Sequence, residues 1–233
     1  MRDGGPGMWS SAAVATVATV TGKTLPPERV AAAYDHWSAT YVELFADPAR
    51  ADPWDRAAMA VLAETVLAGP PGPVVDLGCG PGHWTAHLAA AGLSVRGVDL
   101  SSEFVALARA AHPGLVFEHG SLGATGLPDA SMRGALAWFS LIHLAPGDLP
   151  AALAEVRRLL APASPLLIGF QTTGDADGPP VPHDHRVAPS HRWPVGTLAG
   201  MLGAAGFTES ARLVRQPGDA ERCPSAALLV RAV

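Results

Sequence analysis

The chain has 233 residues, 48% of them hydrophobic and 16% charged, with a net charge of -5 at pH 7. This composition excludes an intrinsically disordered chain, and an acidic balance with no run of like charge argues against a nucleic-acid-binding face. Lys23 is the sole lysine, which leaves none for a Schiff base or a P-loop in the body of the chain. The two cysteines, Cys79 and Cys223, form no C-x-x-C pair and suit a reducing cytoplasm.

Ser10 to Val20 is apolar but far short of the ~20 residues a membrane span needs, and Arg2 followed at once by Asp3 is not the basic start of a signal peptide. Residues 1–25 are read as a flexible or partner-packed arm. From Pro27 a helix is expected, with Val30, Ala33, Tyr34, Trp37, Tyr41, Leu44 and Phe45 on one face. A second runs from about Pro53 to Leu67 with Met59, Leu62, Ala63 and Val66 inward, ended by Gly69-Pro70-Pro71-Gly72. Strands then alternate with helices: strands near 74–77, 93–98, 115–118, 134–139 and 165–170, helices over Ser102–Ala111 and Pro146–Leu160. Ser101 caps the first of these helices, and Leu149, Leu153, Val156 and Leu160 share a side of the second. Residues 172–191, rich in glycine, proline and histidine, are too irregular for a regular element. A helix over 193–205, a strand through Val214 and a final strand over 225–230 close the chain. The alternation predicts an α/β fold with a parallel sheet covered on both faces, in one domain over residues 26–233, with a helical lid (26–68) and an acceptor loop (172–192).

The stretch Val74-Val75-Asp76-Leu77-Gly78-Cys79-Gly80-Pro81-Gly82-His83-Trp84 reads as a buried strand, a glycine turn and a helix start. Glycines at alternate positions let a ligand lie directly on the backbone, and the new helix turns unpaired N–H groups toward it. A pyrophosphate would avoid the carboxylate of Asp76 at the entrance to the turn, whereas an ammonium group would favour it. Asp99 ends the next strand, where an acid can accept both hydroxyls of a ribose. The helix terminus favours a carboxylate. An ammonium, a carboxylate and a ribose together describe an amino acid joined to a nucleoside.

These residues resemble the first motif of class I S-adenosylmethionine-dependent methyltransferases. Gly97 to Ser101 is similar to the second motif, Leu127 to Ser131 with Gly134 to His143 to the third and fourth, and Leu159 to Phe170 to the fifth strand and its approach. The resemblance implies a Rossmann-like, seven-stranded, mostly parallel sheet with an antiparallel last strand, and S-adenosylmethionine as cofactor. By position it implies that Gly78, Cys79, Gly80 and Gly82 shape the pocket for the methionine part with Asp76 in support. Asp99 would hold the ribose, Leu100 flank the adenine, and Phe139 and Ser140 lie near the methyl donor. Where family members carry an acid for the adenine amine, Ser121 follows Gly120, with Leu122 as an apolar wall. Tyr34 lies on the helix that closes over the cofactor in that family.

On the acceptor side, His143 sits just past the fourth strand, at the carboxyl ends where parallel sheets open into a crevice, and a neutral imidazole there can take a proton. His185 is a second candidate base. Gln171, Tyr41, His183 and His191 are expected to line the acceptor pocket. In an extended segment His183 and His185 would point the same way, but with no third ligand fixed by spacing no metal is assigned. The reading is methyl transfer to an oxygen, nitrogen or carbon of a small organic acceptor, similar to bacterial secondary metabolism. Neither nucleic acid nor membrane is a partner, and a homodimer is the assembly left open. The alternatives are a cyclase or rearrangement catalyst that keeps the methyl group on the cofactor, a nicotinamide-dependent oxidoreductase, and a non-enzymatic binding module.

Overall fold

The computed structural model describes residues 24–218 and 221–233, so the expected arm at residues 1–25 lies almost wholly outside them. Helix α1 (Pro27–Phe45) and helix α2 (Pro53–Leu67) precede strand β1 (Val74–Leu77). Then come α3 (His83–Ala90), β2 (Val95–Asp99), α4 (Ser102–Ala111), β3 (Val116–His119), β4 (Gly134–Trp138), α5 (Leu149–Leu159) and β5 (Pro165–Gln171). The chain ends with β6 (Val181–His183), β7 (Ser190–Arg192), α6 (Val195–Ala204), β8 (Phe207–Arg215) and β9 (Ser225–Ala232).

Local chemistry sets the starts of these elements. Asp52 accepts a bond from the Trp54 N–H at 2.8 Å with Pro53 in the first turn of α2, and Ser101 accepts from the Phe104 N–H at 3.0 Å to cap α4. Helix α5 begins three residues later than expected, because Pro150, lacking an N–H, is tolerated only in its first turn.

The seven-stranded sheet has the order β3-β2-β1-β4-β5-β9-β8. The first five strands are parallel, and β9 runs antiparallel to both β5 and β8, as the expected fold requires. On one face α2 and α3 bury Met59, Leu62, Trp84 and Leu88 against Val74, Leu136 and Leu167. On the other α5 and α6 bury Leu153, Val156, Leu198 and Leu202 against Val75, Ala137 and Ile168. Each fully buried side chain of this size contributes about 1.5–3 kcal/mol.

Two expectations are corrected. Helix α2, with Met59, Leu62, Ala63 and Val66 all buried, is a core element and not part of a lid over 26–68. Helix α1 buries no residue fully, and Trp37 is half-buried. Residues 172–191 hold an antiparallel hairpin, β6 against β7, fastened to the sheet where the Trp193 N–H donates to the Gln171 carbonyl at 2.9 Å.

Candidate active site

Between β1 and α3, Gly78, Gly80 and Gly82 all adopt left-handed backbone, at φ 78°, 54° and 84°. A side chain at Gly78 would collide with Ser140, and one at Gly82 would meet the Phe117 ring at 2.7 Å, but one at Gly80 would meet nothing within 4 Å. The outer glycines therefore let neighbours pack against the turn, and the middle one leaves clear space above it. The Gly78 and Cys79 N–H groups donate to the Val98 carbonyl at 2.7 and 3.1 Å, and the Gly82 N–H to the Cys79 carbonyl at 3.0 Å. Cys79 thus has both backbone groups bonded inside the fold, and its side chain is buried with Val105, Ala108 and Phe117. It supports the turn from beneath. Gly82 caps α3 with no side-chain acceptor, so the first N–H groups of the helix remain available to an anion.

Asp76, 2% exposed, accepts a bond from the Thr85 hydroxyl at 2.6 Å, which ties β1 to α3. Burial pushes its carboxyl up to about 7, against the effect of the Thr85 bond, with Asp99 adding to the rise. Asp99 accepts from the Gly80 N–H at 2.7 Å through one oxygen and from the Ser101 N–H at 2.8 Å through the other. Its carboxyl is raised by burial against those bonds. It therefore pins the open middle of the turn to the start of α4. Beside it the Leu100 carbonyl lies 3.0 Å from His119 Nε2. Ser121 is held locally: its hydroxyl accepts from the Gly123 N–H at 3.2 Å and its carbonyl from the Ala124 N–H at 3.0 Å. Leu122 packs on the α5–α6 side of the core.

Helix α1 crosses above and is fastened by two adjacent residues. The Tyr34 hydroxyl lies 2.8 Å from His143 Nε2. Asp35 accepts from the Ser101 hydroxyl at 2.5 Å and from the Glu103 N–H at 3.3 Å. Tyr41 packs edge-on against Phe104 and Tyr34. Its hydroxyl is pushed up to about 12 by burial and then by the charges of Asp99 and Asp76.

Strand β4 delivers Phe139 and Ser140. Phe139 is a non-glycine residue at φ 55°, held by its N–H on the Gly169 carbonyl at 2.9 Å. Ser140 stands against Gly78, with its hydroxyl buried and unbonded. His143, 8% exposed, lies on the short 3₁₀ turn that follows. Its Nδ1–H donates to the Pro189 carbonyl at 2.9 Å, so Nε2 carries the lone pair and accepts from Tyr34. Burial lowers its pKa to about 4. The His185 ring lies edge-on 5.2 Å from that of His143, and burial, with His143 nearby, lowers its pKa to about 3. The two expected bases are therefore neighbours, and both are neutral near pH 7.

The His185 N–H closes on the His183 carbonyl at 2.9 Å, and the two rings meet edge-on, 6.5 Å apart. His183 faces Cys223, 4.0 Å away. His191 is buried with its Nδ1 unbonded, on the strand β7 that packs beside the 3₁₀ turn. Gln171 Oε1 accepts from the Ser190 hydroxyl at 3.5 Å, again joining sheet to hairpin. Among the described residues no three His, Cys, Asp or Glu side chains are grouped to hold a metal ion. Sequence reasoning missed Asp35, Thr85 and the Pro189 carbonyl. Thr85, in the first turn after the glycines, was the one with a local signal.

The unbonded Ser140 hydroxyl, the space over Gly80, the free N–H groups of α3 and the carboxylate of Asp99 all border the glycine turn. They fit an amino acid joined to a nucleoside. Residues 74–163 match a family model described as a methyltransferase domain. Over 94 residues the chain is 37% identical to the malonyl-[acyl-carrier protein] O-methyltransferase of Erwinia billingiae (strain Eb661), covering 40% of this chain and 37% of that protein. Over 103 residues it is 34% identical to the N-demethylindolmycin N-methyltransferase of Streptomyces griseus, covering 41% and 43%. The chain spans about two-fifths of the length of the curated relatives it matches. In fold it is similar to the Burkholderia thailandensis 1,6-didemethyltoxoflavin-N1-methyltransferase solved with S-adenosylhomocysteine, at a TM-score of 0.69 and 24% identity over 92% of this chain and 93% of that one. It is also similar to the [4+2]-cyclase SpnF, at 0.73 and 18% over 90% and 97%. The matched segment, residues 74–163, forms the middle of a sheet whose fold is similar to that of these solved proteins.

Proposed function

We propose that the chain binds S-adenosylmethionine over the glycine turn and transfers its methyl group to an oxygen, nitrogen or carbon nucleophile of a small organic acceptor. The observation that carries this reading is the open face of Gly80, bounded by the unbonded Ser140 hydroxyl and by Asp99. Bound there, the cofactor would supply an electrophilic sulfonium methyl group, with sulfur as the leaving atom that keeps the electrons of the broken carbon–sulfur bond. Ser140 and the start of α3 would hold the amino-acid end, Asp99 the ribose, and Leu100 with Leu122 the adenine. Helix α1 would cover the crevice and exclude water, so that positioning and desolvation carry most of the acceleration.

His143 and His185 would border the acceptor. With pKa values of about 4 and 3 they are too weakly basic to deprotonate an ordinary hydroxyl efficiently. A nucleophile that is already neutral and lone-paired, or already ionised, suits this site best. The relatives named for malonyl-[acyl-carrier protein] and N-demethylindolmycin support a small acceptor group, and the second of them supports a role in bacterial secondary metabolism. Among the described residues no helix is long and apolar enough to cross a membrane, and we infer cytoplasmic action, with a homodimer as the candidate assembly. Incubation with S-adenosylmethionine and candidate acceptors should yield S-adenosylhomocysteine in step with methylated product. Acceptor conversion without S-adenosylhomocysteine would instead identify a cyclase or rearrangement catalyst, and binding of NAD in place of S-adenosylmethionine would overturn the reading.

A further inference from the structure

At the carboxyl ends of β4 and β5, Phe139 and Trp138 form one wall of a narrow cleft. The other walls are Asp55 from the first turn of α2, Leu213 and Arg215 from β8, and Ser225 and Ala226 from β9. It is one residue along the chain from Ser140, which stands on the glycine turn, and it has room for about one water-sized group. The two rings meet edge to face, 5.4 Å apart at 89°.

The cleft carries an unbalanced charge. Arg215 is engaged by both carboxylate oxygens of Glu221 and lies 3.7 Å from Asp52. Arg56 donates to the Ala49 and Ala51 carbonyls. Around the cleft Asp52, Asp55 and Glu221 outnumber the guanidiniums of Arg215 and Arg56, whose charges both act on Asp55, and among the described residues no hydrogen-bond donor reaches the Asp55 carboxylate. A carboxylate beside aromatic rings, in a space the size of an ammonium head, is the chemistry that recognises a protonated amine. We propose that this cleft is an acceptor subsite for an alkylammonium group, with Asp55 as its counter-ion and Phe139 and Trp138 as its aromatic walls. The inference rests on the proposed methyl transfer, because it makes the bound amine a handle that positions an acceptor whose reacting atom lies elsewhere.

The test uses the full chain saturated with S-adenosylhomocysteine and two probes of the same shape, phenethylamine and 2-phenylethanol, titrated by calorimetry and by amide chemical shifts. The amine is expected to bind at least tenfold more tightly than the alcohol and to shift the Ser225 and Ala226 amides. Asp55→Asn should lose at least tenfold in amine affinity while leaving alcohol binding and S-adenosylhomocysteine binding unchanged, and Asp55→Glu should restore part of the loss. Equal affinity for the two probes, no binding of the amine, or an Asp55→Asn variant that still binds it as tightly overturns the subsite. Failure of the wild-type chain to bind S-adenosylhomocysteine overturns the proposed function instead, so the two failures are separate readings.

Discussion

Gly80 and Gly82 hold the same left-handed backbone under different constraints. Alanine at Gly82 incurs both the left-handed penalty and overlap with the Phe117 ring, which together should destabilise the fold by roughly 3 kcal/mol in urea unfolding. Alanine at Gly80 meets no neighbour and should cost only about 1 kcal/mol. Its methyl group would occupy the space above the turn, and S-adenosylhomocysteine affinity measured by calorimetry should fall at least tenfold. His143 offers a second test. Its folded pKa of about 4 lies below the unfolded value near 6.5, so between these limits the unfolded chain binds more protons. The stability supplied by the neutral ring is complete above about pH 6.5 and is lost as pH falls toward 4, a range worth roughly 3 kcal/mol. In His143→Gln the decline in unfolding free energy across this window should shrink by about that amount.

Helix α1 is an element held more by its contacts than by its own burial. It buries no residue fully, yet Tyr34 and Asp35 fasten it on opposite sides of the crevice, to His143 and to the start of α4. Asp35→Ala should therefore raise hydrogen exchange of the α1 amides at least tenfold while changing global stability by less than about 1 kcal/mol. An unchanged α1 protection pattern would show that the fastening lies elsewhere. The aromatic spacing made α1 a legible helix, but not its lack of full burial, because periodicity reports a shared face and not how deeply that face is covered. The β6–β7 hairpin was illegible for another reason: strands of three residues, crossed by histidine and proline, give no alternation to count.

For the whole molecule, the candidate site lies beyond the carboxyl ends of the paired strands β1 and β4, and the groups proposed to border it come from segments as distant as Tyr34 and His143. A ligand bound there ties α1, α4 and β4 together and can bind only the folded chain. S-adenosylhomocysteine at one hundred times its dissociation constant should raise the unfolding free energy by about 2.7 kcal/mol, moving the melting temperature up by roughly 5–10 °C. NAD at the same concentration should leave it unmoved. A thermal scan with each ligand checks this directly.

The order of strands and helices, the three glycines, the two acids and the expectation of a methyl-donor crevice follow from the sequence by itself. Each rests on residues close together in the chain, where backbone conformation and burial period act locally. Tertiary structure alone decided that Cys79 packs beneath the turn, that Tyr41 packs on Phe104, that His191 is buried with Nδ1 unbonded and that Tyr34 takes the lone pair of His143. It also brought Asp55 beside Phe139. These relations join residues many positions apart, and only the packing of α1, α2 and the hairpin onto the sheet determines which of them meet.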